Sequence, residues 1–401
     1  MSDFFHWHRR AQDCIAQGAL TNSKRPECHA LGVSPTHLSR GRGCHVWDWQ
    51  GKQYVDFICG LGTNLLGYGN ERVNAAMVAQ MGKGASLSLG TTLEVETAEK
   101  LKELFVFCDA FKFLKTGSEA CSAAVRIARA KTGRDLVLSE SYHGWHDGFV
   151  SLTPPAIGVP RLDLGIRQLR GNGNLWSDVA AVIIEPVVTD HSRERIEWLK
   201  ELRADCTRHG VLLIFDEIIT GLRWPRFSVA AHTGIIPDLI CLGKAMANGM
   251  PLAAVGGKYD VMNCGEYFVS STYAGETLSL AAAKETMTLL QTKFSIDDLW
   301  LRGKDFQDQF NAMWPEGLRL DGYPSRGVFV GEARTKTLFF QEMAAAGVLM
   351  GPSWFFNFPL IDEYQAVLGT CRDVLMRLRL GVVELRVPIP VSPFAERVRS
   401  A

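Results

Sequence analysis

Two hydrophobic spacings alternate along the middle of this chain. Six short apolar runs, FKFLK (111–115), DLVLSE (135–140), VAAVIIEP (179–186), VLLIFDE (211–217), LICLGK (239–244) and LAAVGG (252–257), are rich in β-branched residues and close on turn chemistry. Runs of that length predict strands buried on both faces. Between them lie segments with apolar residues every three or four positions, such as CSAAVRIARAKTG (121–133) and RERIEWLKELRADCTRHG (193–210). These predict helices packed on a sheet. Strand and helix in alternation imply a mostly parallel sheet covered on both faces, an α/β architecture.

On either side of this block the texture differs. Residues 3–17 predict an amphipathic helix, and the Gly-, Ser- and Pro-rich stretch that follows predicts an extended arm. CHVWDWQGKQYVDF (44–57) alternates apolar and polar residues around Gln50–Gly51, as a hairpin does. Helical periodicity covers 70–82 and 93–107, and a long helix opens at GETLSLAAAKETMTLLQTK (275–293). Beyond it come separate helices and short strands. The expected division is an N-terminal helix and arm (1–45) belonging to a small domain, a large α/β domain (46–294), and a C-terminal α+β segment (295–401) completing the small domain.

Composition narrows the function classes. Lys plus Arg and Asp plus Glu both count 43, so the formal net charge is zero. That argues against a broad nucleic-acid or anionic-membrane footprint. No apolar run is long enough to span a bilayer, and the N-terminus lacks the order of a secretory signal. The ten cysteines show no CxxC pairing, which suits reduced core thiols in a cytoplasmic protein and offers no zinc motif.

The candidate chemistry gathers where predicted strands end. Thr116–Gly117–Ser118 follows one strand and opens a helix, a natural anion site, although Ser118 also fits a plain helix N-cap. Ser141–Tyr142–His143–Gly144 follows the next, and either aromatic ring can stack on a flat ligand or simply pack. Asp216 and Glu217 end the strand Val211–Phe215, and Gly243–Lys244 ends Leu239–Leu242. In open α/β sheets ligands collect at such carboxyl ends. A phosphate cradle, an aromatic platform, an acid and a lysine in that order match what pyridoxal phosphate needs. Its phosphate takes the helix terminus, its pyridine nitrogen a carboxylate, and its aldehyde a lysine.

With these residues in view, the chain resembles the class III, fold-type I pyridoxal-phosphate aminotransferases, especially the glutamate-1-semialdehyde aminomutase-like branch. The resemblance runs through KTGSEACSAAVRIARAKTGRD, ESYHGWHD, IIEPV, IFDEIITGLR, PDLICLGKAMANGMPLAAVGG and STYAGETLSLAAA, and covers about Gly18 to Thr292. It implies that Lys244 forms the Schiff base and shuttles a proton, that Asp216 partners the pyridine nitrogen, and that Ile218 packs on one ring face. It further implies Tyr142 on the other face with His143 beside it, Thr116, Gly117 and Ser118 at the phosphate, and Glu185 near the ring. Glu217 matches a family carboxylate of less defined role. Thr272 corresponds to a threonine reaching the neighbouring subunit's phosphate, which implies a homodimer. The implied activity is transfer of an amino group from a small-molecule donor to a carbonyl acceptor, or within one molecule. Decarboxylation or racemisation on the same fold is the alternative.

The substrate side matches less well. Trp354, Phe355, Phe356 and Asn357 stand where an acidic residue is expected, and read either as core or as a pocket wall for a bulky, less acidic substrate. Arg25 and Arg223 are candidates to meet a substrate anion or to form structural ion pairs.

Overall fold

The structure is a computed structural model that describes residues 4–152, 156–159, 164–169 and 176–391. It divides into two compact units, residues 1–70 with 298–401, and residues 71–297.

In the first unit, the N-terminal helix runs from His6 to Cys14 and stops where Ile15 turns extended. The expectation of a helix from residue 3 begins outside the described residues. The arm contains two tight turns, Asn22–Lys24 and Pro26–Cys28, instead of running extended. Pro26 supplies the fixed φ that starts the second. Strands β1 (Leu38–Arg42), β2 (His45–Asp48) and β3 (Gln53–Asp56) form an antiparallel meander. The Asp48 carboxylate sets the β2–β3 turn by accepting the Gln50 and Lys52 N–H groups, both at 2.9 Å.

The second unit is built on a seven-stranded sheet. Its strands are β4 (Ala110–Leu114), β5 (Leu136–Glu140), β6 (Ile166–Gln168), β7 (Val179–Ile184), β8 (Leu212–Asp216), β9 (Leu239–Leu242) and β10 (Ala253–Gly257). They lie in the order β4-β10-β9-β8-β7-β5-β6. Strand β10 is antiparallel to both neighbours, β4 and β9, and the other pairs are parallel. Strands β4, β5, β7, β8 and β9 therefore share one direction, and their carboxyl ends form one edge. Every residue of β7 is buried, the signature of a central parallel strand. The helix Gly117–Thr132 packs Ala120, Ala123, Ala124 and Ile127 against the sheet, and its small residues allow close approach. The helix Arg193–His209 covers β7 and β8 through Leu199, Leu202 and Cys206, capped by the Ser192 hydroxyl.

The chain returns to the first unit with β11 (Leu318–Tyr323), β12 (Arg326–Gly331) and β14 (Ser353–Phe355), which form an antiparallel sheet, while β13 (Val348–Leu349) pairs in parallel with β3. Trp354 and Phe356 are fully buried among Phe57 and Phe306, with ring centroids 5.1–6.4 Å apart. Asn357 is also fully buried, accepting the Leu360 N–H and donating to the Asn64 carbonyl. The Trp354–Asn357 stretch is core, and the pocket-wall reading falls.

Candidate functional site

The shared edge of the sheet brings together most of the residues expected to carry chemistry. After β4 comes the helix Gly117–Thr132. Thr116 is its N-cap, with its hydroxyl accepting the Glu119 N–H, while the Glu119 carboxylate accepts the N–H groups of Thr116 and Lys115. This capping box corrects the placement of the cap at Ser118, and the T-x-x-E spacing is the signal for it. Ser118 lies in the first turn. The Gly117 and Ser118 N–H groups precede the helical hydrogen-bond ladder and stand at the positive end of the helix dipole.

Asp216 ends β8 with only 6% of its surface exposed. Its Oδ1 accepts the Ile218 N–H at 3.1 Å, and its Oδ2 accepts from His143 Nδ1 at 2.8 Å and the Cys121 thiol at 3.3 Å. The other nitrogen of His143, Nε2, meets the Glu140 carbonyl oxygen at 2.6 Å. Both partners of this imidazole are acceptors, so it donates from both nitrogens and is a cation. Burial pulls the His143 pKa down. The Asp216 hydrogen bond and charge, joined by the charge of Glu185, outweigh that and leave it raised. Cys121, buried beside Cys241 and the Asp216 carboxylate, has its pKa held well above the ordinary thiol range and stays protonated. Sequence reading missed Cys121 and Cys241. Cys241 is the in-register partner of Asp216 across β8 and β9, information that only the pairing supplies.

Ile218 is half-buried between two glycines. A Cβ at Gly117 would sit 3.1 Å from Ile218 Cγ2, and one at Gly243 would sit 3.1 Å from its Cδ1. Those glycines let the helix start and the end of β9 close around one apolar side chain. Lys244 follows Gly243 with φ +42°, in the left-handed region that a lysine rarely adopts. Tyr142 is 47% exposed, yet near enough to the cluster that burial, and after it the charge of Asp216, raises its pKa.

Two further carboxylates differ in kind. Glu185 is half-buried just past β7, and its backbone carbonyl accepts from Arg195. Glu217 is fully buried and accepts from the Thr220 hydroxyl at 2.8 Å, the Val229 N–H at 2.9 Å and the Ala230 N–H at 3.0 Å. Burial pushes its pKa up to about 7 against those three donors. Its contacts hold the segment 218–230 rather than facing the cluster.

Thr272 is not in the cluster. It is exposed in the turn 271–275. A cavity of about 600 Å³ beside that turn is lined by Glu94, Lys102, Phe111, Phe113, Ser271 and Gly275, and includes neither Asp216 nor Lys244. Lys115 and Glu276, 3.0 Å apart, join the helix start to the end of the turn segment. In its own unit, Arg25 meets the amide oxygens of Gln17 and Asn22. Arg223 is fully buried.

The cluster fits a flat, phosphate-bearing ring. It offers first-turn N–H donors, an apolar face at Ile218 opened by two missing Cβ atoms, a buried carboxylate held by a histidine cation, and a lysine. A mostly parallel sheet with that constellation on one edge defines a fold-type I pyridoxal-phosphate transferase.

Comparison with known proteins agrees. The class III aminotransferase family profile matches residues 29–162 and 163–354, and this chain belongs to that family. It is a pyridoxal-phosphate-dependent enzyme of the aminotransferase and aminomutase type. A glutamate-1-semialdehyde 2,1-aminomutase of Nitrosomonas europaea is 34% identical over 297 residues, covering 67% of this chain and 68% of the relative. One from Syntrophobacter fumaroxidans is 30% identical over 391 residues, covering 86% and 90%. Among solved structures, the pyridoxal-phosphate internal aldimine form of the FumI protein of Sphingopyxis sp. MTA144 superposes with a TM-score of 0.87. It has 24% identity and covers 96% of this chain and 98% of its own. Among the described residues no helix is long and apolar enough to cross a membrane.

Proposed function

We propose that this chain moves an amino group from a small-molecule donor to a carbonyl compound, or between two carbons of one molecule, with Lys244 as both anchor and proton carrier. The observation that carries the reading is the convergence of five strand ends on one edge. It places Gly117–Ser118, Tyr142–His143, Glu185, Asp216 and Lys244 on that edge. When bound, pyridoxal phosphate supplies an electron-withdrawing ring that accommodates negative charge released at the substrate Cα. Everything else falls to the chain. The Gly117 and Ser118 N–H groups bind phosphate oxygens, with the Ser118 hydroxyl beside them. Ile218 and Tyr142 enclose the ring. Asp216 keeps the ring nitrogen protonated, with its charge fixed in place by His143. Glu185 adds negative potential near His143. Lys244 Nζ would hold the aldehyde, and the same amine would serve as the base that takes a proton from the substrate Cα and returns it elsewhere.

Thr272 is proposed to reach the phosphate of a second copy. Two observations support a homodimer at this surface. Thr277 bonds to the carbonyls of Gly84 and Ala85, and Glu94 lies against Gly275, which makes segment 84–95 and the turn one surface. That surface exposes Leu87, Leu89, Val95 and Tyr273 by 56–84%, apolar side chains of the kind that a protein–protein contact would cover. Against the expected 46–294, the compact unit 71–297 is proposed as the cofactor domain, with both chain ends forming the small one. Ten free cysteines support a reducing, cytoplasmic setting.

The test is a screen of amino donors against purified enzyme, following the visible band of the lysine-linked cofactor and the mass of the product. Donor-dependent loss of the band with a carbonyl product is expected for transfer, and an isomer of the donor for internal exchange. Carbon dioxide release instead would overturn amino transfer. Lys244→Ala is expected to lose the lysine-linked band, and persistence of that band would remove Lys244 from its role.

A further inference from the structure

Tyr142 and His143 lie on a connection with unusual backbone at both ends. Ser141 has φ +81° and Gly144 has φ +108°. A segment held in such conformations needs outside support. The support comes from the first two turns of the helix Gly117–Thr132, where Ser118 and Ser122, four residues apart, share a face. The Ser118 hydroxyl accepts the Trp145 N–H at 3.2 Å. The Ser122 hydroxyl and His146 Nδ1 are hydrogen-bonded at 2.8 Å. Gly144 lies so close to this face that a Cβ there would stand 2.3 Å from Ser118 Oγ and 2.7 Å from Ser118 Cα. Past His146, Phe149 is buried with its ring 5.5 Å from that of His143. The segment is thus fastened at its start by His143 on Asp216 and at its far end by His146 on Ser122.

We propose that Ser122 and His146 are positioning residues for the cofactor site, a latch that seats Tyr142 and His143 against Asp216. The latch touches neither substrate nor cofactor and acts only through the segment 142–145. It couples the helix whose start offers the phosphate donors to the segment that offers the ring platform. A displaced helix start and a displaced platform then become one event. The inference rests on the assignment of Tyr142 to the ring face, and its test separates the two.

The first measurement is hydrogen exchange across residues 141–148 in cofactor-free protein. Loss of one intramolecular hydrogen bond opens such a segment about fivefold more often. Ser122→Ala and His146→Ala are each expected to speed exchange by about that factor. Cofactor affinity in the same variants is expected to weaken about fivefold, while KM for the amino donor stays near wild type. Ser122→Thr keeps the hydroxyl, and His146→Asn places an amide where Nδ1 stood, so both are expected to restore wild-type exchange. The double variant is expected to be no worse than either single one, because both remove the same bond. Unchanged exchange in Ser122→Ala, or additive losses in the double variant, would overturn the latch. Tyr142→Ala is run alongside. If it leaves cofactor affinity intact, the ring-face assignment fails, and the exchange data still decide the latch.

Discussion

Replacing Asp216 by Asn keeps the shape of the side chain and removes its charge. The native carboxylate accepts from Ile218 N–H at 3.1 Å, His143 Nδ1 at 2.8 Å and the Cys121 thiol at 3.3 Å. An amide has one oxygen and one NH2 group. With its oxygen kept toward Ile218, the NH2 faces His143 Nδ1. The imidazole can then shed its Nδ1 proton and accept there, while Nε2 still donates to the Glu140 carbonyl. Only the Cys121 thiol loses its acceptor. The loss is that of a charged hydrogen bond, about 1.5–3 kcal/mol, and not the roughly 3–5 kcal/mol of a buried charge left stranded. The fold survives.

Turnover is not expected to survive, because the variant lacks the carboxylate proposed to keep the ring nitrogen protonated. Removal of one preplaced electrostatic group at a reacting centre lowers rates by about 10²–10³, and single-turnover kinetics with an amino donor measures this. The pH dependence has a definite sign. The His143 pKa is raised above 6.5 in the folded chain, so its contribution to stability is complete below the unfolded value and fades as pH rises through the folded one. The stability gap between wild type and variant should therefore be widest in mild acid and narrow at alkaline pH. Turnover within tenfold of wild type would refute the role of Asp216. A His143 ring still protonated at both nitrogens in the variant at neutral pH, by NMR, would refute the coupling.

The buried Glu217 gives the opposite sign from an ordinary ion-paired acid. Its pKa rises from 4.5 to about 7, so the folded chain loses about 3 kcal/mol of relative stability as pH climbs between those values. In Glu217→Gln that pH-dependent loss should vanish from denaturation curves of cofactor-free protein, and parallel wild-type and variant curves would sink the reasoning. Gly144→Ala combines a left-handed φ with a contact at 2.3 Å. It should lower the thermal midpoint by an amount corresponding to about 1–3 kcal/mol and weaken cofactor binding, and a calorimetric midpoint equal to wild type would count against the close packing.

The sheet was legible because its strands are apolar throughout and each ends in turn chemistry. The gathering of the residues proposed for the cofactor was legible because they sit at those ends, in an order that follows strand succession. Thr116 shows where local reading stopped short. The cap was assigned to Ser118, although Glu119 stands three residues after Thr116 and completes a capping box. Cys121, Cys241 and Ser122 were not legible. Their importance depends on which strand pairs with β8 and which face of a helix meets the segment after β5, and neither is encoded in local spacing. Trp354 and Phe356 left two readings open for a related reason. An aromatic run reads alike whether it lines a pocket or fills a core, and only the rings of Phe57 and Phe306 decide for the core.

The left-handed backbone at Lys244 bears on how the chain would respond to selection. A non-glycine residue held there carries about 1–3 kcal/mol of conformational strain, which glycine would relieve. The proposed anchor is therefore kept in opposition to the local backbone preference. A library of this chain selected only for heat resistance would be expected to exchange Lys244 for glycine and to return robust proteins without activity. Screens for a more durable enzyme must demand turnover at every round.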